Sequence, residues 1–143
     1  VIDLAAEDLC NSLRDQVFAV TEDAGADVVI DPLGDNIFDA AIRAVAWRGR
    51  MVVIGFAAGR IPTLRVNYLL VKNIDVGGLQ ISDYRRRRPD LTAKCFAQIF
   101  ELYELGKISP LPTEIIPLEQ FAEGLGRVRD RSVRGRIVLT QDR

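Results

Sequence analysis

At 143 residues the chain has the length of one ordinary domain, enough to bury roughly two thirds of its unfolded surface on folding. Apolar residues make up 48% and charged residues 27% of it, a globular balance that excludes disorder of the whole chain. With 19 basic against 20 acidic residues, no net field draws it to nucleic acid or to an anionic membrane.

In chain order, Val1-Ile2-Asp3 reads as a short strand. Residues 8–20 place Leu9, Leu13, Val17 and Val20 at spacings of three and four, one face of a helix. Ala24-Gly25-Ala26-Asp27 turns the chain into Val28-Val29-Ile30, a β-branched run that predicts a strand covered on both faces, and Pro32 stops it. Phe38, Ala41, Ile42 and Val45 then share a helical face until Arg48-Gly49-Arg50 turns into the strand Met51-Val52-Val53-Ile54. Ile74-Asp75-Val76-Gly77-Gly78-Leu79 predicts a further strand, its paired glycines marking a close backbone approach. Helices alternating with continuous apolar strands are the pattern of crossover connections and a parallel sheet, an α/β fold.

Beyond the sheet, Arg85 to Arg88 reads as a solvated run in a loop over residues 81–89, where a domain boundary is expected. Pro89 and Asp90 open a long helix with Phe96, Ile99, Phe100 and Tyr103 on one face, closed by Gly106 and Lys107. Pro117 is expected at the first position of the last helix, with Leu118, Phe121, Ala122, Leu125 and Val128 inward. Residues 136–140 read as a final strand.

Cys10 and Cys95 stand far apart without a CxxC pair, and the chain has no histidine, so neither a zinc cluster nor a disulfide scaffold is indicated. Both cysteines read as buried small apolar residues. No apolar run reaches membrane-spanning length and the opening residues lack a signal-peptide pattern, so a reducing, cytoplasmic setting is expected. A start in mid-strand without methionine predicts a piece of something longer.

In open parallel sheets ligands bind beyond the carboxyl ends of the strands. Three segments follow predicted strands: Asp31-Pro32-Leu33-Gly34, Gly55-Phe56-Ala57-Ala58-Gly59 and Gly78-Leu79-Gln80. Small residues there let a flat ring or a ribose lie against the backbone, and Phe56 can pack on it. Any one of them alone is more often a plain turn; three at corresponding strand ends argue for a site. Gly124-Leu125-Gly126, with Arg129 where a third glycine belongs, imitates a dinucleotide pattern but falls inside a helix and is rejected. There is no nucleophile elbow and no carboxylate pair in a credible pocket context, and Tyr68, Tyr84 and Tyr103 read as anchors or helix-face residues. No catalytic acid or base and no metal ligand is expected.

With these segments in hand the chain resembles the medium-chain dehydrogenase/reductase superfamily, and within it the zinc-independent NADPH:quinone oxidoreductase branch. The likeness rests on five stretches in order. They are Gly25-Ala26-Asp27-Val28-Val29 with Asp31-Pro32-Leu33-Gly34, residues 49–59, residues 67–73, Ile116-Pro117-Leu118-Glu119, and Gly135-Arg136-Ile137-Val138-Leu139. The resemblance implies a Rossmann-like parallel sheet with flanking helices, incomplete because its first two strands and the glycine loop between them are absent. Residues 1–84 would be the C-terminal part of the nucleotide-binding domain, and 85–143 a segment that in relatives packs back on a substrate domain. It implies NADPH as cofactor and hydride transfer to a quinone or another activated double bond, with little turnover from this chain alone. Pro32 would lie near the adenosine end, Gly55, Phe56, Ala57 and Gly59 beside the nicotinamide, Leu79 at the ring, and Arg131 close to the cofactor.

The missing strands would leave an apolar edge at the centre of the sheet, to be filled by a partner, by swapping or by another part of the protein. Relatives join two subunits through the strand matching residues 74–79, which implies a homodimer through a sheet edge. Two alternatives stay open: a non-catalytic association module, or part of an enoyl reductase or a zinc-dependent alcohol dehydrogenase.

Overall fold

The computed structural model describes residues 1–141, which divide into two compact units, Val1–Pro89 and the residues from Asp90 onward. In the first unit β1 (Ala26–Asp31), β2 (Val45–Val53) and β3 (Asp75–Gly78) form a parallel sheet in that order. Successive strands are linked through α2 (Asp35–Ala44) and then α3 (Asn67–Lys72). Because parallel crossovers are right-handed and both steps run the same way along the sheet, both helices lie on one face. Phe38, Ala41, Ile42 and Val45, the positions marked by the helical period, are all buried and form a core with Met51 and Ile74. Val29, Val53, Leu64, Tyr68, Leu69 and Val76 pack onto it.

The same topology explains a departure from expectation. Val28 and Ile30 are 62% and 63% exposed, so β1 is covered on one face only. Hydropathy registers that both faces are apolar; with both crossovers spent on one side, neither crossover helix covers the other.

The helix α1 (Leu9–Val20) starts at Asp8, whose side chain accepts from the Asn11 N–H and caps the first turn. Leu9 and Leu13 pack on Ala40 and Ala44 of α2, with Ile2 against the same cluster. Val1-Ile2-Asp3 is not a strand. The Asp3 N–H donates to Gln16 Oε1 at 2.7 Å and the Asp3 carbonyl accepts from Gln16 Nε2 at 3.0 Å, so a side chain of α1 takes the bonds a neighbouring strand would have made.

The turn expected at Arg48-Gly49-Arg50 lies inside β2 as an irregularity: Arg48 has φ 62° and the register with β1 shifts between Ala26 and Val28. Gly49 is required there, since a Cβ would come 2.7 Å from Val45 Cγ1 and 3.0 Å from the Ala26 carbonyl oxygen. Gly77, by contrast, faces open space, and a Cβ on Gly78 would meet only the Val53 carbonyl oxygen, at 4.0 Å, so the close approach expected at the glycine pair is not found among the described residues.

Residues 81–87 are a helix, α4 (Ile81–Arg87), and not a loop. Asp83 reaches Arg86 at 2.5 Å and Arg87 at 2.7 Å, three and four residues on, so part of the basic run supports a helical turn.

In the second unit α5 (Pro89–Glu104) carries Phe96, Ile99, Phe100 and Tyr103 on one face, and all four are exposed. The Gly106 and Lys107 N–H groups donate back to the Tyr103 and Leu102 carbonyls, with Gly106 at φ 65°, which ends the helix as anticipated. Strand β4 (Thr113–Pro117) pairs in parallel with β5 (Arg136–Thr140), and α6 (Phe121–Arg129) connects them after a 3-10 turn. Pro117 therefore closes a strand that the sequence pattern did not announce and is the N-cap of the 3-10 turn Leu118–Gln120, one position before the first helical position expected of it. The inward face of α6 also differs from expectation. Gly124 is its buried residue, and a Cβ there would come 2.9 Å from Ile116 Cδ1, while Leu118, Phe121, Ala122, Leu125 and Val128 are exposed. A bidentate pair from Arg127 to Glu114, at 2.8 and 2.6 Å, holds the glycine side of α6 to β4.

Cys10 is half-buried and Cys95 exposed, against the expectation that both are buried. Among the described residues no helix is long and apolar enough to cross a membrane.

Candidate cofactor site

At the carboxyl ends of β1 and β2 two loops are joined by main-chain bonds. The Ile54, Ala57 and Ala58 N–H groups donate to the carbonyls of Asp31, Pro32 and Leu33 at 2.8 to 3.0 Å. Gly55 lies under this seam, where a Cβ would come 3.1 Å from the Pro32 carbonyl oxygen. The Asp31 side chain fixes the first loop, its Oδ1 accepting from the N–H groups of Leu33 and Gly34 at 2.9 Å each. Its Oδ2 is buried without a hydrogen-bond partner, an acceptor facing no donor of the described chain. Gly34 has φ 68°, and a Cβ on it would come 2.9 Å from the Phe56 ring, so the ring is seated by the absence of a side chain there.

Beyond β2 and β3 the strand ends open into a cleft of about 560 Å³ lined by Ile54, Gly55, Phe56, Gly78, Leu79 and Tyr84 among others. The Leu79 N–H donates to the Val53 carbonyl at 3.0 Å, extending the β2–β3 ladder by one bond and fixing where Leu79 stands. Phe56 and Leu79 are 42% and 39% exposed, an apolar surface edged by main-chain groups. Such a wall accepts a flat, partly polar ring: apolar side chains meet its face and backbone groups its substituents.

Of the residues singled out beforehand, the structure brings together Pro32, Gly55, Phe56 and Ala57 on the joined loops, with Leu79 across the cleft from Phe56. Gly59 closes the second loop, its N–H donating to the Phe56 carbonyl and its φ of 113° reserving the position for glycine. Arg131 lies in the second unit, just after α6, at φ 55°. Gln80, from the third strand-end segment, lines the same cleft, as do Asp83 and Tyr84, which sequence reasoning did not place there. The signal was present in the spacing of Asp83 to Arg86 and Arg87, which identifies a helix starting at the end of β3 and turns Tyr84 from a loop residue into a wall of the site. Among the described residues no group of three or more His, Cys, Asp or Glu is placed to hold a metal.

Comparison with known proteins gives the family and the fold. A family model described as "Zinc-binding dehydrogenase" matches residues 1–139. The chain is 33% identical over 129 residues to quinone oxidoreductase-like protein 2 of Bos taurus, covering 90% of this chain and 37% of that protein. Two solved structures share its fold. A quinone oxidoreductase of Pseudomonas syringae has a TM-score of 0.74 at 22% identity, over 96% of this chain and 41% of that one. A mycobacterial protein solved with NADPH has a TM-score of 0.75 at 21% identity, over 94% and 41%. The chain thus spans well under half the length of the relatives it matches, and it belongs to the zinc-binding dehydrogenase family, corresponding to a C-terminal part of the medium-chain dehydrogenase/reductases.

Proposed function

We propose that the chain supplies the nicotinamide side of the cofactor cleft of an NADPH-dependent reductase that passes hydride to a quinone or another activated double bond. One observation carries the reading: Phe56 and Leu79, each following a parallel strand, line a single cleft floored by Gly55 and Gly78. In this role the protein positions cofactor and substrate, and hydride moves without a protein acid or base. NADPH itself, in preference to NADH, is inferred from the kind of relatives the chain has. Arg131 is proposed as a further cofactor contact on the same ground.

Calorimetric titration of NADPH into the chain tests this. Saturable binding is expected, weakened about 2- to 10-fold by Phe56→Ala, the range for loss of one aromatic contact, with little or no quinone turnover. An unchanged affinity in the variant, or ordinary turnover from this chain alone, contradicts the proposal.

β3 is bonded on one side only, to β2, among the described residues, and open space lies over Gly77. Pairing of two copies along this edge would satisfy its free N–H and C=O groups. Light scattering at micromolar concentration is expected to give the mass of a dimer; a monomer sinks this part of the proposal.

A further inference from the structure

On the helical side of the first unit a second cavity, of about 400 Å³, opens between α1, α2 and the segment leading into α3. It shares no residue with the cofactor cleft. Arg43, Arg60, Arg65, Thr63 and Tyr68 line it together with one carboxylate, Asp39; Phe38 and Ile42 form its apolar floor, and Cys10 stands in its wall.

The three guanidinium groups are not equivalent. Arg60 is held by Asp35 at 3.0 Å and Asp39 at 2.5 Å, so its charge is met within the wall. The Arg43 guanidinium bonds Asn11 Oδ1 at 3.0 Å and meets no carboxylate among the described residues. The Arg65 carbonyl accepts from the Tyr68 N–H, but its guanidinium has no polar partner among the described residues, and the hydroxyls of Thr63 and Tyr68 add uncommitted donors. Lys72 lies behind Arg43, donating to the Arg43 and Val45 carbonyls at 2.6 and 2.7 Å. Burial, first, lowers the Lys72 pKa, and the charges of Arg14 and Arg43 add to it in the same direction.

Two uncompensated planar forks with adjacent hydroxyl donors match a doubly charged oxyanion, and guanidinium binds phosphate oxygens in pairs. The cavity is larger than a bare phosphate needs, and its floor is apolar. We propose that it binds the phosphoryl group of a small phosphate ester, with the charge on Arg43 and Arg65 and the body of the ester over Phe38 and Ile42.

Cys10 provides the readout. In a Cys95→Ser background, its alkylation by iodoacetamide is followed with inorganic pyrophosphate as probe, against citrate and sodium chloride at matched ionic strength. The expected result is saturable, several-fold slowing by pyrophosphate alone, lost in Arg65→Gln and in Arg43→Gln. Arg65→Gln is the safer variant for folding, since that side chain is exposed and bonds to nothing described, and an unchanged unfolding midpoint confirms that it folds. Absence of protection, equal protection by citrate or salt, or protection that survives Arg65→Gln overturns the proposal. Protection by NADPH as strong as by pyrophosphate would identify the cavity with the cofactor's own phosphates and overturn it as a separate site.

Discussion

Replacing Met51 with alanine is expected to destabilise the first unit by about 2–5 kcal/mol, the range for deleting a buried methionine or leucine side chain. Met51 is fully buried, sits on the central strand with Val29 of β1 and Val76 of β3 beside it in register, and belongs to the cluster of Phe38, Ile42, Val45 and Ile74. The cavity left would border both neighbouring strands and α2, and α2 is already close-packed on α1 through Ala40 and Ala44, which limits collapse into the gap. Urea unfolding followed by the fluorescence of Trp47, the single tryptophan, reports on this unit. A lowered midpoint with unchanged slope is predicted; a loss below about 1 kcal/mol would show that β2 is not the centre of the core.

Gly135→Ala should have an effect of similar size in the second unit. Gly135 has φ 107°, and an added Cβ would come 2.1 Å from the Pro112 carbonyl oxygen and 3.0 Å from its carbon. Both are backbone atoms, so no side-chain rotation relieves the clash. The same Pro112 oxygen accepts from the Arg136 N–H at 3.0 Å, the bond that brings β5 to the start of β4. Backbone strain alone costs about 1–3 kcal/mol, and displacing the ladder adds to it. Hydrogen exchange is expected to show loss of protection at Ile137, Val138 and Leu139, with the amides of β1 to β3 unchanged. Gly126→Ala serves as control: nothing lies within 4 Å of its added Cβ, and in a helix alanine is favoured over glycine by about 1 kcal/mol. Equal protection in Gly135→Ala and the control would contradict the described pairing.

Much of the first unit was legible because its signals are periodic. Phe38, Ala41 and Ile42 of α2 and the β-branched runs of β1 and β2 emerge as buried core and as parallel strands, while Val45, read as the helix's next turn, is buried as the first residue of β2. What failed was whatever depends on a neighbour. An apolar pattern does not say which element covers it, so Val28 and Ile30 read as buried and are exposed. Val1-Ile2-Asp3 has strand composition, but its main chain bonds to Gln16. The β4 strand was hidden because it is short and ends in proline, a residue equally apt to open a helix. The cleft beyond β2 and β3 was legible in position, since small residues after parallel strands mark it, whereas the wall formed by Tyr84 required α4 to be read through a run of arginines.

The central claim is that the loops after β2 and β3 act together on one ligand. The most direct test follows backbone amide shifts of the folded chain during addition of NADPH. The account predicts saturable changes at Gly55, Phe56, Gly78 and Leu79 with a common midpoint, while Gly106 and Gly126 stay still. Changes confined to other residues, or none at all in a chain whose spectrum shows it folded, would contradict it.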